Sequence, residues 1–181
     1  MNLEAALKQY FDSQPTAPEH AVLKQGFAAV LAKGEVGFQR DHFSPGHFTA
    51  SAWLVHPDQQ RVLMTHHRKL QRWLQLGGHA DGDTDVAAVA MREAEEESGL
   101  SALQLRPEIF DLDIHSIPAR GDDPEHLHLD VRFVVLHHGD AQFRVSDESL
   151  ALAWVPVQTL LGSETEPSIR RMAARWLSKL G

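Results

Sequence analysis

The stretch GHADGDTDVAAVAMREAEEESGL, residues 78–100, is the part of the chain whose reading decides the rest. It opens on Gly78 and a polar loop. From Asp85 the spacing predicts a helix: Thr84 and Asp85 are both N-cap residues, and Gly99 is the residue type that ends a helix. On a helical wheel with Glu93 at the origin, Glu97 falls at about 40° and Glu96 at about −60°. These carboxylates share one face, while Ala87, Ala90, Met91 and Ala94 share another that is small and apolar. Alanines on the packing side let a helix sit close to a sheet. Like charges one turn apart repel, so the acidic face is comfortable only when solvated or when it holds cations. Hard divalent ions such as Mg²⁺ and Mn²⁺ take carboxylate oxygens and water. Arg92, four residues before Glu96, is within reach of a carboxylate on the same helix. A bare E-x-x-E-E is more often a solvated acidic face than a metal site, so the surrounding residues have to decide.

Those surroundings resemble the Nudix box, G-x5-E-x7-R-E-U-x-E-E-x-G-U, where U is a bulky aliphatic residue. Gly78, Arg92, Glu93, Glu96, Glu97, Gly99 and Leu100 match it with the right spacing. Ala94 takes the first U position and is apolar but small. Thr84 stands where the box has its first Glu, flanked by Asp83 and Asp85. In order of elements the resemblance runs from about His47 to Val157, and the helical ends lie outside it. It implies an α/β/α sandwich with a mixed sheet. It also implies a loop–helix–loop that holds one or several Mg²⁺ or Mn²⁺ ions, and hydrolysis of a nucleoside diphosphate linked to another moiety. Carried onto this chain, it makes Glu93 and Glu97 the main metal ligands, with Glu96 beside them and the carbonyl of Gly78 adding one more. Arg92 orients the helix carboxylates. Glu96, Glu97 and Arg92 are then the catalytic residues of the box. Glu148 joins them as a candidate general base, because some relatives draw that base from a loop in this region; the alternative for it is an ordinary solvated carboxylate. Thr84 implies altered loop chemistry rather than lost activity.

Outward from the box, HFTASAWLVH reads as a strand, PDQQ as its turn and RVLMTHH as the antiparallel partner. RWLQLGG reads as one short third strand. LQLRPEIFDLDIHSI, HLHLDVRFVVLHH and LALAWVPV follow as extended segments, with PARGDDPE as a turn-rich loop. Two helices precede the strands, separated by Pro15 and Pro18. Their apolar positions are Leu3, Leu7, Tyr10 and Phe11 in the first, and Val22, Leu23, Phe27, Val30 and Leu31 in the second. PSIRRMAARWLSKL closes the chain as an amphipathic helix with Ile169, Met172, Trp176, Leu177 and Leu180 on one side. The expected class is α+β, with residues 1–40 a helical extension packed on a main domain of residues 41–181.

Composition narrows the functions. The 181 residues include no cysteine, which excludes a disulfide scaffold, a cysteine nucleophile and a cysteine-based zinc or iron–sulfur site. It also disfavours an isopentenyl-diphosphate isomerase, a shared-fold activity whose usual chemistry uses a cysteine. The longest apolar runs, such as Phe27 to Ala32, are too short to span a membrane. MNLEAALKQYF lacks a basic leader with a long apolar core, so the cytoplasm is the expected compartment. The net charge of −8 argues against binding a nucleic-acid backbone. Residues 81–97 gather Asp81, Asp83, Asp85, Glu93, Glu95, Glu96 and Glu97, a patch an anionic substrate meets only through cations.

Histidine is unusually frequent, at 12 residues. His126, His128 and Asp130 alternate along one strand and so share a face. That row either lines a cleft or takes a metal, or it is the wet side of a half-exposed strand. No third histidine at a fixed spacing supports zinc. His79 follows the glycines as a substrate contact or a packing residue. His66, His67, Arg68, Lys69 and Arg72 form the one dense basic stretch, with a phosphate clamp at Arg68 or Arg72 weighed below a charged hairpin turn. Trp53, Trp73 and Trp154 can stack a base, but strand tryptophans are more often core. The acidic loop Pro118 to Pro124 is a candidate for substrate selection. The leading function is a Mg²⁺- or Mn²⁺-dependent pyrophosphohydrolase acting on a small nucleotide or other diphosphate. The alternative is a non-catalytic Nudix-type nucleotide-binding or regulatory module, for which Thr84 speaks. The helical ends either cover the sheet or form a homodimer interface, the dimer being favoured.

Overall fold

A computed structural model of the chain describes residues 2–14, 18–146 and 149–180. Pro15 lies outside them. In chain order the elements are α1 (Leu3–Ser13), α2 (Pro18–Leu31), β1 (Gly46–Val55), β2 (Arg61–His67), β3 (Arg72–Leu74), β4 (Leu76–His79), α3 (Val86–Ser98), β5 (Leu103–Ile117), β6 (His126–His137), β7 (Ser149–Pro156) and α4 (Pro167–Ser178). The strands form one mixed sheet in the order β3-β2-β1-β6-β5, with β4 pairing β1 and β7 pairing β2. The class is the α+β one read from the sequence.

The segment RWLQLGG is not one strand. β3 pairs antiparallel with β2, with His66 opposite Trp73, whereas β4 pairs with β1. A straight strand cannot serve both partners, and Gln75 sits where the partner changes. Single-strand patterning has no access to that choice, because the partners make it.

The chain packs as two compact units. The first comprises Met1–Ser51, Gly78–Ala90 and Pro107–Phe133. Here Asn2 caps α1 by accepting the Ala5 N–H at 3.1 Å, and Leu3, Leu7 and Tyr10 are buried at helical spacing. In α2 only Phe27 and Val30 are buried; Val22, read as part of the apolar side, is 69% exposed. The Phe48 ring packs on those of Phe38, at 4.7 Å, and Phe27, at 6.0 Å. At Gly46 the sheet is tight. A Cβ there would lie 2.8 Å from the Leu127 Cα and closer still to the Leu127 carbonyl. The neighbouring Leu127 N–H donates to the Pro45 carbonyl at 3.0 Å, so the backbones cannot simply part. Gly46→Ala is therefore expected to destabilise by about 1–3 kcal/mol, the cost of overpacking, read as a lower urea midpoint at unchanged m-value.

The second unit comprises Ala52–Gly77, Met91–Arg106 and Val134–Gly181. Its core holds Ala52, Leu54, Leu63, Leu76, Ala94, Leu100, Val135 and Leu152. β2 and β7 run antiparallel from Arg61↔Pro156 to His67↔Ser149, with an irregularity between His66 and His67. α4 starts where Glu166 accepts the N–H groups of Ser168 and Ile169, at 3.0 and 3.1 Å, with a proline in the first turn. It buries Ile169, Met172, Ala173 and Trp176, and the Trp176 indole donates to the Gln59 carbonyl at 2.9 Å. Leu180, read as the last residue of that apolar side, is beyond the helix and 45% exposed. No helix among the described residues is long and apolar enough to cross a membrane.

Candidate functional site

The acidic helix starts and stops where its sequence says. Asp85, not Thr84, is the cap: its carboxylate accepts the Ala88 N–H at 3.2 Å. Thr84 is exposed. At the other end Gly99 takes φ +65°, the left-handed conformation of a helix-ending glycine, and its N–H reaches the Glu95 carbonyl at 2.8 Å. The Ser98 carbonyl, otherwise an orphan at the helix end, accepts the Arg144 N–H at 2.7 Å. Ala94 is wholly buried against Leu76 and Leu100, so the small residue at the first aliphatic box position is the packing face. The acidic side faces differently. Glu97 is only 7% exposed, and its Oε1 accepts the Gly77 N–H at 2.8 Å. Glu93 is half-buried, with a guanidinium nitrogen of Arg92 3.5 Å from its Oε1. Glu96 is exposed. Arg92 thus approaches Glu93, its chain neighbour. Gly78 lies on β4 directly after Gly77.

The His126, His128 and Asp130 row is not a wet strand face. His126 is 8% and Asp130 2% exposed. The row divides into two clusters because two other strands bring polar rows to it: His47, Thr49 and Ser51 on β1, and Asp111, Asp113 and His115 on β5. Asp130 accepts from Thr49 at 3.1 Å, from Ser51 at 2.8 Å and from Arg132 at 2.7 Å. Arg132 also pairs with Asp111 at 3.4 Å and Asp113 at 3.3 Å. Burial alone would lower the pKa of Arg132; the carboxylates of Asp130, Asp113 and Asp111 outweigh it and raise the pKa. The histidines form the second cluster. The His47 ring lies 5.1 Å from that of His126 and 4.8 Å from that of His128. His79 joins them, 5.2 Å from His47 and 5.0 Å from His128. Burial pushes His47 down to about 4 and His128 down to about 2, and the neighbouring histidines add to both shifts.

A family model for the NUDIX domain matches residues 45–177. The chain belongs to the Nudix family. Membership places it among the Nudix hydrolases. No curated protein matches it in sequence. Solved structures agree on the Nudix fold. An Ap4A hydrolase of C. elegans in a binary complex is 14% identical, with TM-score 0.60, the match covering 74% of this chain and 96% of that one. The dihydroneopterin triphosphate pyrophosphohydrolase of E. coli is 17% identical, with TM-score 0.59, covering 73% and 95%. The NUDIX domain of Shewanella oneidensis NrtR, complexed with ADP ribose, is 17% identical, with TM-score 0.55, covering 83% and 98%.

The remaining residues singled out in this Nudix chain fall into place as follows. Glu148 and its neighbour Asp147 lie outside the described residues. Arg68 donates to the Ser149 carbonyl at 3.2 Å, which ties the basic stretch to β7 and favours the hairpin role. Trp53 is buried, as a core residue should be, but Trp73 is 43% exposed and stacks on His66 at 5.3 Å. Trp154 donates to the Ala141 carbonyl at 2.8 Å. The loop from Pro118 to Pro124 is exposed; Arg120 and Asp123 bridge one another within it, and the Pro124 carbonyl at its end lies 2.8 Å from His126 Nδ1. What the sequence reading missed is His47. Its signal was present, since His47, Thr49 and Ser51 alternate as the β6 row does. The pairing that unites the rows has no local signature.

Proposed function

We propose that this Nudix hydrolase cleaves a diphosphate linkage in a nucleoside diphosphate derivative, using Mg²⁺ or Mn²⁺ held by Glu93, Glu96, Glu97 and the carbonyl of Gly78. The observation that carries the reading is Glu97, a carboxylate 7% exposed on a helix that already bears Glu93 and Glu96. Burying a carboxylate beside like charges is costly unless a cation balances it. All-oxygen donors of this kind fit a hard divalent ion. The similar structures are named for Ap4A, dihydroneopterin triphosphate and ADP ribose, small molecules built on phosphoanhydride bonds, which supports the class and leaves the member open.

The ion, when bound, neutralises phosphate charge, polarises a P–O bond and lowers the pKa of water. The chain's own residues do the rest. The Gly77 N–H fixes one Glu97 oxygen, so the carboxylate is oriented before substrate arrives. Arg92 approaches Glu93 and offsets part of the acidic charge. A carboxylate of the acidic cluster or of a loop outside the box can take the proton of the attacking water, and Glu148 is the loop candidate for that role.

The test is nucleotide or phosphate release from a panel of nucleoside diphosphate derivatives, with and without Mg²⁺ or Mn²⁺. Turnover of one class, dependent on the ion, is the expected result. Metal-dependent binding without any turnover would instead support the non-catalytic module. Thr84, exposed at the position of the missing box glutamate, is the feature that favours that second reading. Thr84→Glu would then be the substitution expected to restore hydrolysis.

A further inference from the structure

The histidines that β1 and β6 bring together have the makings of a second metal site, of a different chemistry from the carboxylates of α3. One ring nitrogen from each of His47, His126 and His128 lies within 4.8 Å of the other two. His47 is 1% exposed and His126 8%. The Nε2 atoms of His47 and His128 are buried and have no hydrogen-bond partner. Native interiors rarely leave such atoms unpaired.

The outer ring nitrogens, by contrast, are fixed. His47 Nδ1 sits 3.2 Å from the His42 carbonyl, and His126 Nδ1 sits 2.8 Å from the Pro124 carbonyl. A carbonyl only accepts, so each Nδ1 carries the proton and each Nε2 keeps its lone pair. A backbone carbonyl on the far ring nitrogen is the partner that orients a metal-bound histidine and sets its tautomer. A cation placed among the three rings is the group that satisfies the buried, unpartnered Nε2 atoms of His47 and His128 at once.

We propose that His47, His126 and His128 bind a transition-metal dication of the Zn²⁺ type. An all-imidazole set suits zinc and its neighbours and not Mg²⁺ or Ca²⁺, which want oxygen. Zinc–nitrogen bonds of about 2.0–2.1 Å at tetrahedral angles put the ligand nitrogens about 3.3 Å apart, so the rings close up slightly on the ion. Three protein nitrogens leave a fourth position for the nearby His79 or for a water or anionic oxygen.

The experiment uses the full chain, stripped of metal and then titrated with Zn²⁺ against a chromophoric chelator and with Co²⁺ by visible absorption. One Zn²⁺ per chain at micromolar concentration and a tetrahedral Co²⁺ spectrum are expected, both retained in Glu97→Gln. His47→Gln and His126→Gln are each expected to weaken Zn²⁺ binding about 100-fold or more, beyond the 10–100-fold typical of losing an outer partner. X-ray absorption of the wild-type zinc complex needs no variant and should read imidazole nitrogens. Absence of Zn²⁺ binding by the wild type, an all-oxygen shell, or binding lost in Glu97→Gln but kept in the histidine variants would overturn the proposal.

Discussion

Glu97→Gln is expected to lower kcat for diphosphate hydrolysis about 10³-fold, with little change in thermal stability of the metal-free protein. The reasoning starts from what the substitution leaves alone. Glutamine has the same shape, and its Oε1 can still accept the Gly77 N–H now held at 2.8 Å. What disappears is the negative charge and one anionic oxygen. A metal ion's stabilisation of transition-state charge is worth several kcal/mol, and about 4 kcal/mol corresponds to about 10³ in rate. Removing like-charge repulsion from a helix carrying Glu93 and Glu96 offsets any loss from the weakened hydrogen bond. The measurement is steady-state kinetics at saturating Mg²⁺, alongside the Mg²⁺-induced rise in Tm, which should vanish in the variant. Glu95→Gln is the control. Glu95 is exposed and about 200° around the helix from Glu93, so it should change kcat less than about twofold, as surface substitutions usually do. Equal losses in both variants would mean that bulk negative charge, not a ligand at Glu97, supports the reaction.

How much of this was legible beforehand depends on which forces are local. The helix Val86–Ser98 was readable because its cap, its apolar spacing and its terminal glycine all lie within the helix or one residue from it. The same holds for α4, whose start Pro167 and buried Trp176 are set by neighbours in sequence. The break at Gln75 was not readable, since it follows from β3 and β4 choosing different partner strands. Val22 has the right spacing for a buried face but nothing to cover it, and periodicity reports only the face. The histidine site shows the same limit from the other side. His126 and His128 were visible as a row, and reading them as one ambiguous strand face was the most a single strand permits. His47 lies some eighty residues earlier, and only the β1–β6 neighbourhood makes it their third member. Asp130 left the histidine row for the same reason: Thr49, Ser51 and Arg132 claim its oxygens.

Arg132→Met is expected to cost about 3–5 kcal/mol, the penalty for removing one partner from a buried ion cluster. Asp111 is 0% and Asp130 2% exposed, and Arg132 itself 2%. Its guanidinium reaches Asp130 at 2.7 Å, Asp113 at 3.3 Å and Asp111 at 3.4 Å. Methionine fills much of the volume but leaves the buried Asp111 and Asp130, and the partly exposed Asp113, without their counter-charge. For a chain of this size the loss corresponds to a Tm lower by about 6–20 °C, measurable by calorimetry. Arg132→Lys keeps the charge but not the planar fork that serves several carboxylates at once, so it should fall between wild type and Met. Asp130→Asn combined with Arg132→Met should cost less than the two single losses added together, because the first substitution removes part of the charge that the second leaves unbalanced. A loss in Arg132→Met no larger than the ~1 kcal/mol of an exposed pair would mean that the carboxylates find other partners and that the cluster does not fix the sheet. Asp130 hydrogen-bonds β1 through Thr49 and Ser51 while Arg132 reaches β5, so the cluster sets how β1, β6 and β5 lie against one another. The histidines at 47, 126 and 128 stand on two of those strands. A weakened cluster should therefore also loosen Zn²⁺ binding, even though neither Asp130 nor Arg132 is among the proposed ligands.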